Sequence, residues 1–241
     1  MIQNTSFSKL SIIIPLFNEE KTICQILDKI KDVSLINNIA KEIIIVDDGS
    51  SDNSKEVLKQ YQDENPDQVI LLFDQPKNIG KGSAIQRGIK EVTGDLVIIQ
   101  DADLEYDPEE YNTLLKPMVD GVADVVYGSR FKGSKSQRIL FFWHSVGNVF
   151  LTFLSNMFTN LNLTDMETCY KMFKTDIITS LKLKEKRFGF EPEVTAKIAK
   201  IPKIRIYEVG ISYYGRDYEE GKKIGWKDGI RALICIIKYS F

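Results

Sequence analysis

Histidine is almost missing from this chain: His144 is the only one among 241 residues. A metal centre built from several imidazoles is therefore excluded. A Ser-His-Asp hydrolase has little room either, because His144 would have to be the base and no nucleophile elbow accompanies it. Cysteine is scarce as well. Cys24, Cys169 and Cys235 lie far apart without metal-ligand spacing, and no leader-like segment opens the chain, which predicts reduced thiols in a cytoplasmic protein. Excess charge is lacking too: 32 Lys and Arg face 34 Asp and Glu, a formal net charge of -2. No overall field favours nucleic acid, so any anion site has to be built locally. A clean membrane span is also absent. The stretch from Ile139 to Leu163 carries no Asp, Glu, Lys or Arg, but Ser145, Asn148, Asn156 and Asn160 interrupt it, whereas a span needs roughly 20 predominantly apolar residues.

What is present is a chain that is 43% hydrophobic, long enough for one large α/β domain over residues 1–241. Strand-like runs alternate with amphipathic helical patterns from Ser11 to about Arg130, the signature of a mainly parallel sheet flanked by helices. Ile12-Ile13-Ile14 leads through Pro15 to Asn18, a candidate N-cap for a helix carrying Ile23, Ile26, Leu27 and Ile30. Ile43 to Val46 ends in the acceptor-rich turn Asp47-Asp48-Gly49-Ser50-Ser51-Asp52, before a helix with Val57 and Leu58. Val69 to Phe73 reads as a third strand. Asn78-Ile79-Gly80-Lys81-Gly82 then makes a cationic turn into a helix with Ala84, Ile85 and Ile89, and a fourth strand covers Asp95 to Ile99. Ligands of such a sheet gather where its strands end.

At that fourth strand end stands Asp101-Ala102-Asp103-Leu104-Glu105. Oxygen donors one residue apart suit Mg²⁺ or Mn²⁺, which bind few carboxylates and complete their shell with water and substrate phosphate. The plainer reading is an acidic turn that caps the next helix, since Asp107-Pro108 resembles a helix start. Farther on, Val125-Val126-Tyr127 delivers Gly128-Ser129-Arg130, a turn whose guanidinium is suited to forking onto phosphate. The aromatic residues Phe141, Phe142, Trp143, Phe150, Phe153 and Phe158 fit either a helix in a membrane interface or an ordinary buried helix pair. Glu191-Pro192-Glu193 starts a short helix through Val194 and Ile198, and Ile204 with Ile206 suggests a late strand. The loop-like tail from Tyr213 to Lys223 fits a lid over a phosphate-bearing ligand or a solvated charged loop. Ile230 to Ile237 is apolar and of moderate length.

Pro15-Leu16-Phe17-Asn18-Glu19, Val46-Asp47-Asp48-Gly49-Ser50, Asn78-Ile79-Gly80-Lys81-Gly82 and Asp101-Ala102-Asp103 together resemble the family 2 glycosyltransferases of GT-A fold. Gly128-Ser129-Arg130, the run Thr164 to Lys171 and the stretch Glu219 to Gly229 are similar to the branch that makes dolichyl- or polyprenyl-phosphate sugars. The resemblance covers about Ser11 to the C-terminus. It implies a Rossmann-like, mixed but mainly parallel sheet, with a nucleotide-sugar half over about 8–130 and an acceptor half over about 131–241.

For function, the resemblance implies an inverting, metal-dependent transfer of a hexose from GDP-mannose or UDP-glucose to a polyprenyl phosphate, peripheral to the cytoplasmic face of a membrane. Pro15, Phe17, Glu19 and Asp48 match the nucleoside pocket, with Gly80, Lys81 and Ala102 beside the donor. Asp101 and Asp103 match the family's Asp-x-Asp, and Glu105 stands where a third ligand for Mg²⁺ or Mn²⁺ would be. Asp165 matches the catalytic carboxylate: a base for a hydroxyl acceptor, or an orienting group if the acceptor is already an anionic phosphate. Arg130, Arg216 and Lys222 are the candidate holders of that phosphate. A saccharide or protein hydroxyl acceptor, and a non-catalytic nucleotide-sugar-binding module, remain open; a nucleotidyltransferase is disfavoured because Pro15 to Glu20 stands where its glycine-rich, arginine-containing start belongs.

Overall fold

Runs of β-branched residues pair into one seven-stranded sheet, which the computed structural model describes along with the rest of residues 6–133, 138, 141–216 and 225–241. The strands are β1 (Lys9–Leu16), β2 (Ala40–Asp47), β3 (Ile70–Asp74), β4 (Leu96–Ile99), β5 (Val125–Ser129), β6 (Lys171–Lys174) and β7 (Ile206–Gly210). Their order is β3-β2-β1-β4-β6-β5-β7. All neighbours run parallel except β6, which is antiparallel to both β4 and β5. Central β1 is buried on both sides: Ile12, Ile13 and Ile14 are all shielded from solvent, as a parallel strand between two helical layers requires.

The helices are α1 (Ile23–Asp32), α2 (Ser54–Glu64), α3 (Lys81–Ile89), α4 (Tyr111–Val119), α5 (Phe142–Thr159), α6 (Thr175–Ser180), α7 (Phe190–Ala199) and α8 (Trp226–Ser240). The spacing of Ile23, Ile26, Leu27 and Ile30 does build the inner face of α1, and all four are buried. Its start differs from expectation. Thr22 precedes the first helical residue, whereas Asn18 adopts a left-handed φ of 52° and accepts a hydrogen bond from the Ser51 amide at 2.8 Å. Asparagine tolerates that backbone region, so Asn18 ties two strand-end loops together instead of capping a helix. Asp107 caps a 3-10 turn over Pro108–Glu110 by accepting from the Glu109 amide at 3.3 Å, which leaves Asp101 and Asp103 free of that task. The late strand begins at Ile206, with Ile204 outside it.

Helix α5 is apolar outward and mixed inward, where Leu151, Leu154 and Phe158 pack on the core beside polar groups. Thr152 and Ser155 are buried, while Phe142, Trp143, Val149, Phe150, Phe153 and Met157 are all more than half exposed. The inward polar groups are used. Thr152 Oγ1 accepts from the Met166 amide at 3.1 Å, and the Asn156 amide side chain exchanges two hydrogen bonds with the Leu163 backbone. Of the two readings of the aromatic run, burial holds for Phe158, which packs on the core, and not for Phe141, Phe142, Trp143, Phe150 and Phe153, which face outward; Asn148 and Asn156 share the inner face with Leu151 and Leu154. Helix α8 packs on α5 and α7, burying Cys235 and Tyr239 and exposing Ile230, Ile234, Ile237 and Phe241. No helix among the described residues is long and apolar enough to cross a membrane.

Candidate active site

The parallel strands β1, β2, β4 and β5 end along one rim, and antiparallel β6 begins there. The loops after Leu16, Asp47, Ile99 and Ser129 and the loop before Lys171 therefore converge. The loops after Leu16, Asp47, Ile99 and Ser129, with the glycine turn at 78–81 and residues 213–216, line a cleft of about 330 Å³. Pro15, Phe17, Glu19 and Asp48 line one end of the expected donor set; Gly80, Lys81, Asp101, Ala102, Asp103 and Glu105 also line it, together with Arg130 and Arg216. Lys222 lies outside the described residues.

Each expected donor residue has a local cause for its place. Asp48 uses both carboxylate oxygens on the turn opposite, accepting from the Ile79 and Gly80 amides at 2.8 Å each. It lines the cleft and clasps the glycine turn with one hydrogen bond on each oxygen, which leaves a lone pair on each for another donor. Gly80 has a φ of 122°, and a Cβ there would come within 2.4 Å of the Lys186 carbonyl oxygen; only glycine permits that fit. Lys81 opens α3 and pairs with Asp101 at 2.8 Å and with Glu191 at 3.6 Å. Burial works against its charge, but Asp101 and Glu191 outweigh it and hold the Lys81 pKa well above the usual value.

The acidic loop is the most charged part of the cleft. Arg216 Nη2 lies 2.8 Å from Asp103 and 3.2 Å from Glu19, and the Arg216 amide donates to Glu105 Oε1 at 2.8 Å. Tyr213 donates its hydroxyl to Glu105 Oε2 at 2.8 Å. Burial, followed by the charges of Asp101 and Glu105, pushes the Asp103 carboxyl up to about 7. Four carboxylates, Glu19, Asp101, Asp103 and Glu105, thus face two cations, Lys81 and Arg216. The surplus is negative. Oxygen donors with unbalanced charge suit a divalent cation such as Mg²⁺ or Mn²⁺. Among the described residues, however, no three such side chains stand ready-grouped around one ion position, and the guanidinium of Arg216 lies among Asp103, Glu19 and Glu105.

The acceptor side is organised differently. Asp165 is completely buried and does not line the cleft. Its Oδ2 accepts from Arg130 Nε at 2.6 Å and from the Arg130 amide at 3.0 Å, and its Oδ1 accepts from Arg130 Nη2 at 2.7 Å and Asn148 Nδ2 at 3.1 Å. Burial opposes its ionisation, but the Arg130 guanidinium prevails and holds the Asp165 carboxyl below its ordinary range. A carboxylate so engaged is a poor proton acceptor; it aims Arg130 into the cleft. Arg216, the other described candidate for the acceptor phosphate, lines the same cleft as Arg130 and is paired with Asp103 and Glu19. Under the floor, Glu167 is pushed up to about 8 by burial and by Glu191.

Sequence reasoning missed Arg187 and Phe188, which line the cleft from the loop before α7. The signal was available in the glycines: Gly80 and Gly82 are small because the backbone of 185–187 presses against them, but nothing local in Lys182 to Phe188 points at a cleft. The Asp101 loop itself rests on a buried network. Tyr111 and Tyr170 both donate to Gln100 Oε1, at 2.7 and 2.5 Å, and Gln100 Nε2 donates to the Asp101 carbonyl at 2.9 Å.

Comparison with known proteins places this arrangement. Curated relatives include undecaprenyl-phosphate 4-deoxy-4-formamido-L-arabinose transferases of Yersinia pestis (strain Pestoides F) and Yersinia pseudotuberculosis (serotype O:3, strain YPIII), each 30% identical over 222 residues. That match takes in 92% of this chain, which spans 64% of the length of those relatives. Among solved structures, glucosyl-3-phosphoglycerate synthase from Mycobacterium tuberculosis, in complex with Mn²⁺, UDP and phosphoglyceric acid, superposes with a TM-score of 0.73 at 18% identity, over 97% of this chain and 78% of that one. Its complex with Mn²⁺, UDP-glucose and phosphoglyceric acid gives 0.74 over 97% and 80%. These neighbours establish the GT-A fold. The sequence pattern of Glycosyl transferase family 2 matches residues 11–181, so it takes in every strand-end loop of the donor side and the loop that carries Asp165. The chain belongs to glycosyltransferase family 2.

Proposed function

We propose that this chain moves a hexose from a nucleotide diphosphate sugar to a polyprenyl phosphate, with inversion, at the cytoplasmic face of a membrane. One observation carries the reading: a cleft with carboxylates and Lys81 at one side ends at Arg130, a guanidinium fixed by Asp165 and held through Asn148 to α5, whose opposite face is exposed and aromatic. The donor diphosphate lies against Lys81 and the Asp101 loop, and Asp48 keeps the glycine turn shaped to receive it. Asp101 and Asp103, with Glu105, would hold Mg²⁺ or Mn²⁺; that ion, when bound, neutralises charge on the departing diphosphate. Arg130 draws the acceptor phosphate to the far side of the sugar, where a single displacement inverts the anomeric centre.

The choice of acceptor follows from Asp165. A hydroxyl acceptor needs a base, and both oxygens of Asp165 are already taken. A lipid phosphate arrives ionised and needs only to be positioned. The curated relatives act on undecaprenyl phosphate, which is consistent with this. The outward faces of α5 and α8 suit the headgroup region of a bilayer, where apolar side chains insert beside the acceptor's tail.

The test is transfer from radiolabelled UDP-glucose or GDP-mannose in the presence of bacterial membrane lipid extract. Label in the organic phase is expected, and its loss in the Asp103→Ala variant ties it to this cleft. Label confined to the aqueous phase would shift the acceptor to a soluble hydroxyl; donor binding without any transfer would make the chain a binding module.

A further inference from the structure

The guanidinium of Arg216 lies where the Asp101 loop most needs positive charge. It is 2.8 Å from Asp103, 3.2 Å from Glu19 and 3.7 Å from Glu105. Its side chain is only 18% exposed. The backbone around it is tied to the same loop, since Tyr214 donates its amide to the Glu105 carbonyl at 2.9 Å and Tyr213 its hydroxyl to Glu105 Oε2. Yet Arg216 Nε is buried without a hydrogen-bond partner among the described residues. A buried donor left unmade is unfavourable, and this one belongs to the group best shaped to fork onto a phosphate.

A divalent cation that approaches Asp103 and Glu105 meets Arg216 already there. Entry of the ion alone breaks charge-assisted hydrogen bonds and leaves a guanidinium beside a dication, with nothing anionic to receive it. Entry together with a nucleotide diphosphate is different, because the diphosphate offers Arg216 new acceptors as the old ones pass to the metal. We propose that Arg216 couples the two ligands: it serves as the resident counter-ion of the acidic loop, so that cation and nucleotide diphosphate bind well only together. This rests on the reading of the acidic loop as the donor site. Lys81 does not do the same work, since it pairs with Asp101 and Glu191 from the other wall and leaves Asp103 untouched.

The consequence is measurable without turnover. Binding of Mn²⁺ is followed by the loss of its free electron paramagnetic resonance signal, with and without UDP or GDP, in the full chain and in Arg216→Gln. In the unaltered protein, nucleotide is expected to tighten Mn²⁺ binding by about tenfold or more, and Mn²⁺ to tighten nucleotide binding by the same factor, as linkage demands. In Arg216→Gln, Mn²⁺ alone is expected to bind about tenfold more tightly than in the unaltered protein, with the nucleotide effect reduced to roughly threefold or less. Arg216→Lys keeps the charge without the fork and is expected to fall between them, which secures the comparison if the glutamine variant folds poorly. Equal or weaker Mn²⁺ affinity in both variants, against normal binding with nucleotide in the unaltered protein, overturns the coupling alone. Failure of the unaltered protein to bind Mn²⁺ even with UDP or GDP overturns both the coupling and the donor-site reading.

Discussion

Around the cleft, β1, β2 and β4 turn their apolar residues into the core, and the loops beside them use their charged groups internally: Asp48 holds the Ile79 and Gly80 amides, and Lys81 pairs with Asp101. On the acceptor side, α5 gives its polar groups to the 163–166 loop and turns Phe142, Trp143, Phe150 and Phe153 outward. A soluble ligand needs only a shaped, charged cleft. A ligand with a long apolar tail is served by a surface that is itself apolar, and exposed patches of that kind mark an interaction site. The contrast is therefore between a charged cleft and an apolar face, a division that the proposed water-borne donor and lipid-borne acceptor would each use.

Removing Asp103 is the most severe way to break that division. Asp103→Ala is expected to lower transfer by about a thousandfold, the scale of losing preorganised charge stabilisation, while the melting midpoint stays near that of the unaltered protein. Assay of labelled lipid product together with a thermal melt checks both halves of the statement. Asp165→Ala attacks the acceptor side through stability instead. It leaves Arg130 largely buried without its counter-ion, and loss of about 3–5 kcal/mol in urea unfolding is expected. Replacing both Phe150 and Phe153 by Ser is expected to reduce sedimentation with anionic vesicles by about tenfold or more, given roughly 1.5–3 kcal/mol per fully buried aromatic. Mn²⁺-dependent nucleotide binding in that variant is expected to be unchanged, which separates the two sides most cleanly.

The smallest effect concerns how α8 is held. Glu185 accepts from Arg231, Lys238 and the Tyr239 hydroxyl. Burial opposes its ionisation, yet these partners bring its carboxyl down to about 2. A depressed carboxylate pKa stabilises the fold above the unfolded value of about 4.3 and loses that contribution as pH falls towards the folded one. The clamp should thus weaken between about pH 4 and pH 2, and Glu185→Gln should flatten that part of the stability profile. Denaturant midpoints measured at several acidic pH values would show it.

Much of the donor side was legible because its signals are local. Four apolar runs, each followed by an acceptor-rich or glycine-rich turn, were enough to place Asp48, Gly80, Lys81 and Asp101 at one rim. The acceptor side depends on long-range pairing, which periodicity does not report. Asn148 and Asn156 read as interruptions of an apolar helix until the loop 163–166 is seen against them. The residue type of Arg216 suggests a phosphate holder, but its pairing with Asp103 and Glu19 depends on Tyr213 and Tyr214 bonding to Glu105, more than 100 residues away in sequence. Arg187 and Phe188 escaped notice because the glycines that admit them lie on another element.

Strand β6 deserves a last consequence. It runs against its neighbours and sits directly beside β5, so the chain leaves the sheet after Ser129 and re-enters it at Lys171 on the same rim, between two adjacent strands. The loop that carries Asp165 and helix α5 belong to one excursion with both ends a strand's width apart, packed on α7 and α8 and tied to Glu208 of β7. Chimeras that exchange 130–163 as a block would leave Tyr170 on Gln100, and with it the support of the Asp101 loop. A fold wired this way offers a route by which one sugar-delivering frame acquires new recipients without redesign of the part that holds the sugar.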